Sequence, residues 1–569
     1  MKRIIVIIIA VILAASLVAC GTIDSINSNT ESAGTANVIQ TNGQAVISDS
    51  LQNAAEQAAA TSQNMVAKET TDTFSLTTSD GTFKQTGGTY TITSAGTYTV
   101  SGLLEGQILV DAGEDDEIVI ELAGVTITYG EDSPVKIVSA EKVEISAKKD
   151  TENVINDTRS AKTKDDEDQG EGAIYAKCDL KIKGNGILVI SASYNNGIHT
   201  TKDLTIKNLS FKITAYNNAI KGNDSITIES GAVVAISTNG DGIKTENTDV
   251  SKSGETRGDV TISGGTVTVY AAGDGIQAAH DFNLIKGEDG SEATVYIFTG
   301  SYSEYTAQSA ATTSYKGVKV QNELNISAGS ITIQSYDDGL HADYGTVLED
   351  GTKGKGTINI SGGSIAIAVY SPENKTAGGK GGRGGWGGQQ TVTGADGIHA
   401  DNTLTISGGT VIIDSAYEGL EANHILINGG AVYVSANDDG LNASKKINET
   451  PTIEVSGGYL DVTVPTSGDS DGIDSNGTYK QTGGVVITRG PNSQNMAAID
   501  ADNSVSITGG TLIVLGYGRV SAGSGVKTYS LSLHSSGSHT VTIDGVTYTF
   551  SNANTYGRTT VYSNVSVSA

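Results

Sequence analysis

Residues 396–413 read Asp-Gly-Ile-His-Ala-Asp-Asn-Thr-Leu-Thr-Ile-Ser-Gly-Gly-Thr-Val-Ile-Ile. The stretch contains three short segments, Asp-Gly-Ile-x-Ala, Leu-x-Ile and Val-x-Ile, in which apolar and other residues alternate. Such alternation is the pattern of half-buried β-strands, and glycine between the segments is typical of turns. The position of Gly397 recurs along the chain as glycine or alanine, at Ala173, Gly197, Ala219, Gly242, Gly275, Gly317, Gly339, Gly397, Gly419, Gly440, Gly472 and Ala498.

This repeat predicts an all-β fold, a right-handed parallel β-helix. Gly419 follows Gly397 by 22 residues, and the shortest intervals between repeats cluster at that value. One unit cannot bury its apolar residues alone, so stacked units are needed to form a continuous core. A β-propeller fits poorly because its repeats contain about 40 residues and four strands. Stacking would place equivalent residues of successive coils ~4.8 Å apart.

The composition agrees with many short strands and limits the partners. The 569 residues include 72 Gly but only 5 Pro, 6 Phe and 1 Trp, which suits strands and turns better than packed helices. The net charge of −28 opposes binding to nucleic acid, where Lys and Arg must neutralise phosphates. With only two cysteines, disulfides are not expected to hold the fold together.

The N-terminus predicts export and lipid anchoring. Lys2 and Arg3 precede an apolar run that closes on Leu17-Val18-Ala19-Cys20. This order is typical of a lipoprotein signal, after which Cys20 carries the lipid and becomes the mature N-terminus. The protein is therefore expected on the extracellular face of the cell membrane, attached through the lipid alone.

Four regions follow along the chain. Residues 1–20 are the predicted signal peptide, residues 21–72 a flexible tether rich in Ser, Thr, Asn, Gln and Ala, residues 73–528 the β-helix, and residues 529–569 a C-terminal β cap. An antiparallel hairpin is expected around Asp544-Gly545.

Insertions fall at two corners of the repeat. Residues 247–257 and 344–355 follow the Asp-Gly segment, whereas residues 301–313 and 371–393 precede it. Loops that gather beside one repeated ridge predict a ligand groove there.

The residue before each turn glycine forms what we call the first row: Asn196, Asn218, Asp241, Asp274, Lys316, Asp338, Asp396, Glu418, Asp439 and Asp471. Its last five members are carboxylates, which would repel one another by roughly 3 kcal/mol at ~5 Å and an effective dielectric constant of 20. Ca²⁺ is the natural counter-ion because it takes six to eight oxygen ligands. Further oxygens are expected from Asp337, Asp438, Asp469 and Asp474. The alternative is a ladder in which Asp and Asn side chains bond the backbone and shape the turn.

The residue two after the glycine forms the second row: His199, Lys221, Lys244, Gln277, Lys319, His341, His399, Glu421, Asn442, Asp474 and Asp500. Lys221, Lys244 and Lys319 could bind the carboxylates of an acidic sugar, or they could pair with nearby aspartates. His341 and His399 would be neighbours, although two histidines alone are a weak metal signal.

Three aromatic residues are candidates for stacking on sugar rings. Tyr336 and Tyr417 lie shortly before the turn glycine, and Trp386 lies in the glycine-rich segment 378–388. A flat ring can stack on a sugar face. A tyrosine column can also serve only for packing.

Several motifs resemble the clostridial-type carbohydrate-binding β-helix family. They are Gly-Thr-Tyr-Thr-Val-Ser-Gly at 96–102, Gly-Ala-Ile-Tyr-Ala-Lys at 172–177 and the repeated Asp-Gly-Ile segments. The resemblance covers about residues 73–565. It implies binding of cellulose and polygalacturonate, bound calcium and a structural relation to family 9 pectate lyases. Residues 469–474, Asp-Ser-Asp-Gly-Ile-Asp, resemble the calcium-binding turn of those lyases, with Ser470 where the lyases carry another acid.

A non-catalytic, calcium-dependent polysaccharide-binding protein is thus the favoured interpretation, with polygalacturonate or cellulose-like glycans as ligands. The first alternative is a calcium-dependent polysaccharide lyase, in which Lys244, beside Asp241 and Asp274, would remove the proton next to the uronate carboxylate. The second alternative is a structural surface adhesin without a sugar site.

Overall fold

The computed structural model describes residues 38–41, 43–162, 169–300, 314–369, 394–468 and 470–569. These residues form an all-β protein with one long sheet of 45 strands, in which parallel pairing dominates. The described residues contain a single α-helix, α1 (Gly43–Asn64). The predicted all-β class is confirmed at this level.

Most strands pair with the strand three positions further along the chain, so the sheet contains three parallel ladders. The Asp-Gly ladder comprises Thr89–Ile92, Gln107–Asp111, Val135–Ser139, Gly172–Ala176, Asn196–Thr200, Ile220–Gly222, Ile243–Lys244, Ile276–Ala278, Val318–Val320, Leu340–Ala342, Ile398–Ile406, Leu420–Ile427, Leu441–Ala443 and Ile473–Ser475. The second ladder comprises Gly96–Glu105, Glu117–Tyr129, Lys142–Ala147, Asp179–Gly184, Asp203–Lys207, Ser225–Ile228, Asp259–Ile262, Phe282–Leu284, Glu323–Ile326, Thr357–Ile360, Thr452–Val455, Thr478–Gln481, Ser504–Ile507 and Ser521–Ala522, and it also includes the ends of Ile398–Ile406 and Leu420–Ile427.

The third ladder begins with the ends of Gly96–Glu105 and Glu117–Tyr129. It continues through Glu152–Asp157, Ile187–Ala192, Leu209–Ala215, Gly231–Ser237, Thr266–Ala271, Thr294–Thr299, Ser330–Ser335, Ser364–Val369, Thr410–Ser415, Ala431–Ser435, Tyr459–Thr463, Val485–Arg489 and Thr511–Leu515, and it ends on the antiparallel Thr559–Ser563. The remaining strands are Val38–Thr41, Ser75–Thr78, Phe83–Thr86, Tyr344–Val347, Lys353–Lys355, Lys527–Tyr529, Gly537–Ile543, Val546–Asn552 and Val567–Ser568.

Burial follows the alternation seen in the sequence. The apolar residues of the repeat quoted above are all fully buried: Ile398, Ala400, Leu404, Ile406, Val411 and Ile413. His399, Thr405 and Ile412, which alternate with them, are partly exposed. One continuous cluster of buried apolar side chains extends from Leu76 to Val514. The period of two along each strand therefore separates this core from an outer row of accessible side chains.

The glycine pairs of the repeat form a corner between the second and third ladders. The second glycine of each pair has a positive φ, for example +76° at Gly409, +76° at Gly430 and +80° at Gly458. This left-handed backbone is accessible to glycine without the strain that a Cβ atom would add. The glycine pair therefore recurs in the sequence because the backbone at this corner requires a positive φ.

Two predicted insertions lie within the described residues, and they contact each other. The strands Tyr344–Val347 and Lys353–Lys355 form a two-stranded antiparallel sheet. The backbone N–H of Thr248 donates to Glu349 Oε2 at 3.2 Å, and the N–H of Glu349 donates to Thr248 Oγ1 at 2.9 Å. Insertions from different repeats therefore pack together on one side of the sheet. The other two predicted loops, 301–313 and 371–393, lie outside the described residues.

The C-terminal region closes the third ladder. Thr559–Ser563 pairs antiparallel with Thr511–Leu515. Gly537–Ile543 and Val546–Asn552 form a hairpin whose turn residues, Asp544 and Gly545, have positive φ. This is the two-residue turn that the sequence indicated.

The described part of the segment before the sheet contains a short strand and helix α1. Val38–Thr41 pairs in parallel with Val546–Asn552 at the C-terminal end. Helix α1 then lies along the third ladder, where buried Leu51 packs with Ala366 and Ala368 and buried Ala58 packs with Tyr296. Hydrogen bonds fix it further, from Tyr296 Oη to Gln57 at 2.8 Å and from Lys212 Nζ to the Ser62 carbonyl at 2.8 Å.

Within the described ranges, no helix has the length and apolar character needed to cross a membrane. Cys178 is buried and not in a disulfide. Cys20, the predicted lipidation site, lies outside the described residues.

Candidate functional site

The first row is a continuous column of stacked residues. The backbone N–H of each turn glycine donates to the carbonyl of the first-row residue in the next repeat, as from Gly317 to Asp338, Gly339 to Asp396 and Gly397 to Glu418. Side chains add a second set of bonds along the column. Asp241 Oδ1 accepts the N–H of Asp274 at 2.9 Å, and Asp439 Oδ1 accepts the N–H of Asp471 at 2.7 Å.

These contacts are the backbone-bonding ladder that the sequence offered as the alternative to calcium. In a local turn, the amide donor lies only a few residues away along the chain. Here the amide donor belongs to the next repeat. The bonds engage one carboxylate oxygen of each residue, and an aspartate has a second oxygen with its own acceptor capacity. The ladder and a bound cation are therefore compatible.

The second row is also aligned by strand register. Successive members lie opposite each other in the Asp-Gly ladder: His199 with Lys221, Lys221 with Lys244, Lys244 with Gln277, Gln277 with Lys319, Lys319 with His341, His341 with His399, His399 with Glu421, Glu421 with Asn442, and Asn442 with Asp474. The row changes from basic to acidic along the chain. Different stretches of one column therefore offer different ligand chemistry.

Each of the three candidate lysines forms an ion pair. Lys221 Nζ lies 2.7 Å from Glu246 Oε2, and Lys319 Nζ lies 3.4 Å from Asp343 Oδ2. Lys244 Nζ lies 2.8 Å from both Asp241 Oδ2 and Gln277 Oε1. These pairs correspond to the second of the two roles that the sequence left open. Nearby acidic side chains therefore balance the positive charges at the basic end of the second row.

Two histidines occupy the middle of the second row. The rings of His341 and His399 are stacked, with centroids 4.7 Å apart and planes inclined by 16°. His341 Nδ1 lies 2.7 Å from Asp338 Oδ2, and His399 Nδ1 lies 2.9 Å from Asp396 Oδ2. Burial opposes protonation of His399, but its carboxylate neighbours outweigh burial and raise the pKa of this imidazole well above its usual range.

Lys316, a first-row residue, neutralises the adjacent acids. Its Nζ lies 2.9 Å from Asp338 Oδ2 and 3.0 Å from Asp337 Oδ2. Although burial acts in the other direction, Lys316 and His341 hold the pKa of Asp338 well below its usual range. Two of the predicted calcium ligands, Asp337 and Asp338, are therefore already paired with protein cations.

In the next repeats, fewer positively charged side chains lie beside the acids. Ligand oxygens of Glu418, Asp438 and Asp439 lie within 4.8 Å of one another. Burial and neighbouring carboxylates raise the pKa of Asp439 to about 8 and that of Glu418 well above its usual range. Burial, together with Asp471, also raises the pKa of Asp474 to about 7. We call Glu418, Asp438 and Asp439 the acidic cluster.

Two buried oxygens at the acidic cluster support its use as a cation site. Oε2 of Glu418 and Oδ1 of Asn442 have no hydrogen-bond donor among the described residues. A buried acceptor left without a partner costs about 1–3 kcal/mol. Ca²⁺ prefers oxygen ligands from carboxylates and amides. The oxygen atoms of Glu418, Asp438 and Asp439 therefore form a donor set of the kind that suits this ion.

The candidate tyrosines lie where the two undescribed loops meet the sheet. A Cβ atom on Gly300 would come within 2.8 Å of the Tyr336 ring, and one on Gly394 would come within 1.8 Å of the Tyr417 ring. Each ring thus packs directly on a glycine at the edge of a predicted loop, and both tyrosines are partly exposed. Trp386 and Asp469 lie outside the described residues.

The sequence candidates omitted two aspartates that contact the stacked histidines, and they did not pair the second-row residue Glu421 with His399. Asp343 Oδ1 lies 2.8 Å from His341 Nε2, and Asp401 Oδ1 lies 3.2 Å from His399 Nε2. Glu421 Oε2 lies 2.8 Å from His399 Nδ1. The sequence could have identified the two aspartates, because each is the last residue of a repeated motif. The motif reads Asp-Gly-Leu-His-Ala-Asp at 338–343 and Asp-Gly-Ile-His-Ala-Asp at 396–401.

Two known proteins are similar to this chain in sequence. The chain is 43% identical over 132 residues to a carbohydrate-binding domain-containing protein of Acetivibrio thermocellus, a match that covers 23% of this chain and 44% of that protein. The chain thus spans less than half the length of this curated relative. A solved structure of a polysaccharide lyase-like protein from C. thermocellum, a gadolinium derivative, is 35% identical with a TM-score of 0.38, covering 45% of this chain and 94% of the other.

A family model gives the broadest match. The model for carbohydrate-binding domain-containing proteins matches residues 86–369 and 346–440. Together these ranges cover more than half of the chain, including the first and second rows as far as Gly440. The chain belongs to the family of carbohydrate-binding domain-containing proteins.

Proposed function

We propose that this protein is an extracellular, lipid-anchored and non-catalytic protein that binds polysaccharide through calcium ions held by the first row. The observation that carries the proposal is the acidic cluster of Glu418, Asp438 and Asp439, together with two buried oxygens that lack a donor among the described residues, Glu418 Oε2 and the neighbouring Asn442 Oδ1. Its family is one of carbohydrate-binding domains. Calcium would supply the positive charge that an anionic sugar polymer needs on a protein of net charge −28.

We further propose that the sheet is wound as a right-handed parallel β-helix of the kind found in family 9 pectate lyases. Pairing of most strands with the third strand further on supports this arrangement, as does the continuous apolar core from Leu76 to Val514. In such a fold the rows form a straight ridge with a step of ~4.8 Å per repeat. A polymer can make many weak equivalent contacts along such a ridge.

The calcium ligands divide into two groups. Glu418, Asp438, Asp439, Asp471 and Asp474 belong to the acidic cluster or to the repeats that follow it, and we assign calcium to this group. The carboxylates of Asp337, Asp338 and Asp396 already contact Lys316 or a histidine. Asp469 would join the first group through its position in the turn at 469–474.

The ligand best suited to this site is an acidic polysaccharide, polygalacturonate first and a cellulose-like glycan second. Lys221, Lys244 and Lys319 are paired with protein acids, so calcium bridges are the stronger link to a uronate. The tyrosines Tyr336 and Tyr417, with Trp386, would stack on sugar rings at the rim. The proposed groove lies between the loops at 301–313 and 371–393.

Binding to insoluble polysaccharides with and without chelator tests this proposal. We expect polygalacturonate to retain the protein in calcium and release it in EDTA. The double variant Asp438→Asn/Asp439→Asn should bind at least about tenfold more weakly, because each cation ligand removed weakens the bridge. A matched control, Glu288→Gln/Asp289→Asn, removes the same charge from a loop between the second and third ladders. Chelator-independent binding, or equal losses in both variants, would contradict the calcium bridge.

Anchoring is tested separately by fractionating cells that express the Cys20→Ala variant. The lipid on Cys20 would be the membrane attachment, so the variant should appear in the medium or accumulate unprocessed. A processed variant that remains with the membrane would contradict the anchor.

A lyase is the second candidate, because Asp241, Asp274 and Lys244 lie together. Burial and Asp241 raise the pKa of Asp274 to about 6. However, Lys244 donates to Asp241 and Gln277 at 2.8 Å, and these contacts would have to break before its Nζ could reach a substrate proton as a general base. Ultraviolet absorbance of unsaturated sugar products, absent in Lys244→Ala, would establish the lyase. Failure to bind any plant or bacterial glycan would instead favour the structural adhesin.

A further inference from the structure

The stacked histidines lie at the centre of a repeated sequence motif. Residues 338–343 and 396–401 both read Asp-Gly-(Leu/Ile)-His-Ala-Asp. Strand register places His341 directly opposite His399 and Leu340 opposite Ile398. The two copies therefore present the same side chains in adjacent repeats, although 58 residues separate them along the chain.

Both histidines are oriented in the same way. The Nε2 atoms of His341 and His399 contact Asp343 and Asp401 at 2.8 Å and 3.2 Å. The Nδ1 atoms point the other way, towards the first row. A carboxylate that holds one ring nitrogen and leaves the other for a cation is the usual outer support of a metal-binding histidine.

The Nδ1 atom of His399 faces two carboxylate oxygens. His399 Nδ1 lies 2.9 Å from Asp396 Oδ2 and also 2.8 Å from Glu421 Oε2. A single N–H bond cannot point well at both oxygens, because hydrogen bonds weaken steeply as their angle falls. A metal ion among the three atoms could contact all of them.

The donor set is compact enough for such an ion. Ligand atoms of Asp338, His341 and His399 lie within 4.8 Å of one another, and so do those of Asp396, His399 and Glu421. A tetrahedral metal with bonds of about 2.0–2.2 Å to nitrogen and oxygen separates neighbouring ligands by roughly 3.4 Å. The observed separations of 2.7 and 2.9 Å between Nδ1 and its aspartate would need to widen by roughly half an ångström or slightly more to admit such an ion.

We propose that His341, His399 and Asp338 bind a divalent transition metal ion, Zn²⁺ in the first instance, with Asp396 or Glu421 as a fourth ligand. Two imidazoles with carboxylates suit zinc and its neighbours, whereas calcium selects oxygen alone. The site is distinct from the acidic cluster, which offers only oxygen ligands. One ridge would then carry two kinds of metal site in successive repeats.

Two lysines also contact the acids of this cluster, and the contact of Lys316 with Asp338 would give way when the metal binds. Lys316 approaches Asp338 Oδ2 from the preceding repeat at 2.9 Å, and Lys446 approaches the other oxygen of Glu421, Oε1, at 2.6 Å. The histidine side chains are 11% and 13% exposed, so an ion could reach them from solvent. The metal would complete a cluster that the protein has already oriented.

Titration calorimetry of the full mature chain with ZnCl₂, in excess calcium, tests the site. We expect one zinc ion per chain, and the His341→Gln/His399→Gln variant should weaken its binding by on the order of 100-fold or more. A matched control, His424→Gln/His539→Gln, also removes two histidines but leaves the proposed ligands intact. Zinc binding that is equal in both variants, or absent from the wild type because protons alone occupy the cluster, would overturn the proposal.

A measurement on the wild-type protein avoids any folding defect of the variant. Cobalt(II) in place of zinc should shift two exchangeable imidazole N–H signals in the proton NMR spectrum, those of the Nε2 atoms bound to Asp343 and Asp401. Cobalt binding without these two shifted signals would also overturn the proposal. Calcium binding and polysaccharide retention should persist in the histidine variant if the acidic cluster works independently. Loss of calcium binding or of polysaccharide retention in this variant would count against the proposed function and not against the zinc site.

Discussion

Asp338 accepts a hydrogen bond from the backbone N–H of Asp396, 58 residues further along the chain, at 2.7 Å. The intervening segment includes the small sheet of Tyr344–Val347 and Lys353–Lys355 and the predicted loop at 371–393. The first row nevertheless continues without a break, because the next repeat returns to the same register. Insertions can therefore change the surroundings of the ridge while its own geometry is retained.

This relationship predicts a large effect of Asp338→Ala on stability. The variant removes the acceptor of the Asp396 amide and one of the two acids that contact Lys316 Nζ, which keeps Asp337. The cost should therefore approach about 3 kcal/mol, the value for breaking a buried ion pair. Asp338→Asn keeps an oxygen for the amide and should cost less. Chemical denaturation of both variants measures the difference. Equal free energies of unfolding would show that the column does not depend on this carboxylate.

Sequence reasoning succeeds where a residue's position follows from the period of the repeat. Gly397 and Gly419 fix the register, and that register correctly aligned His341 with His399 and Glu421 with Asn442. Apolar residues at alternate positions identified the core because burial has a period of two in a strand. The row positions thus needed no structural information.

The partners of the row residues were harder to predict. Lys221 pairs with Glu246 and Lys319 with Asp343, and such pairs depend on side-chain direction as well as on row position. The docking of helix α1 was also not predicted, since its many alanines give little amphipathic pattern. Ala58 and Leu51 are buried only because Tyr296, Ala366 and Ala368 provide a matching surface.

Calcium should stabilise the folded protein. The proposed ligands Glu418, Asp438 and Asp439 exist as a cluster only in the native state, so calcium at 100 times its dissociation constant would add roughly 2.7 kcal/mol. The melting temperature should fall on addition of EDTA, and the fall should be smaller in Asp438→Asn/Asp439→Asn than in Glu288→Gln/Asp289→Asn. An EDTA-independent melting curve for the wild type, with no calcium by elemental analysis, would leave only the backbone ladder.

Helix α1 should remain on the sheet only while Ala58 can be buried. Ala58 has no exposed surface, so Ala58→Asp would place a charge against Tyr296, and an unpaired buried charge is strongly unfavourable. Ala60→Asp puts the same residue on the exposed side of the same helix and serves as the control. Limited proteolysis should cut within residues 43–64 in the first variant and not in the second. Equal protection of both helices would argue against the docked position.

The buried carboxyl of Asp274 should make stability depend on pH. Burial and the charge of Asp241 raise the pKa of Asp274 from 3.8 to about 6, so the folded protein binds this proton more tightly than the unfolded chain. The stabilisation is complete below pH 3.8 and is lost as the pH rises to about 6. A shift of this size corresponds to at most roughly 3 kcal/mol.

The Asp274→Asn variant isolates this contribution. Asparagine cannot ionise, but its oxygen can still accept the N–H of Lys316, which Asp274 Oδ1 accepts at 2.7 Å. The variant should therefore gain stability relative to the wild type as the pH rises from 4 to 6, while the two proteins differ little below that window. Denaturation curves at several pH values in EDTA give the comparison, since EDTA removes any effect of calcium. A constant difference in unfolding free energy across the window would mean that Asp274 ionises in the folded protein as readily as in the unfolded chain.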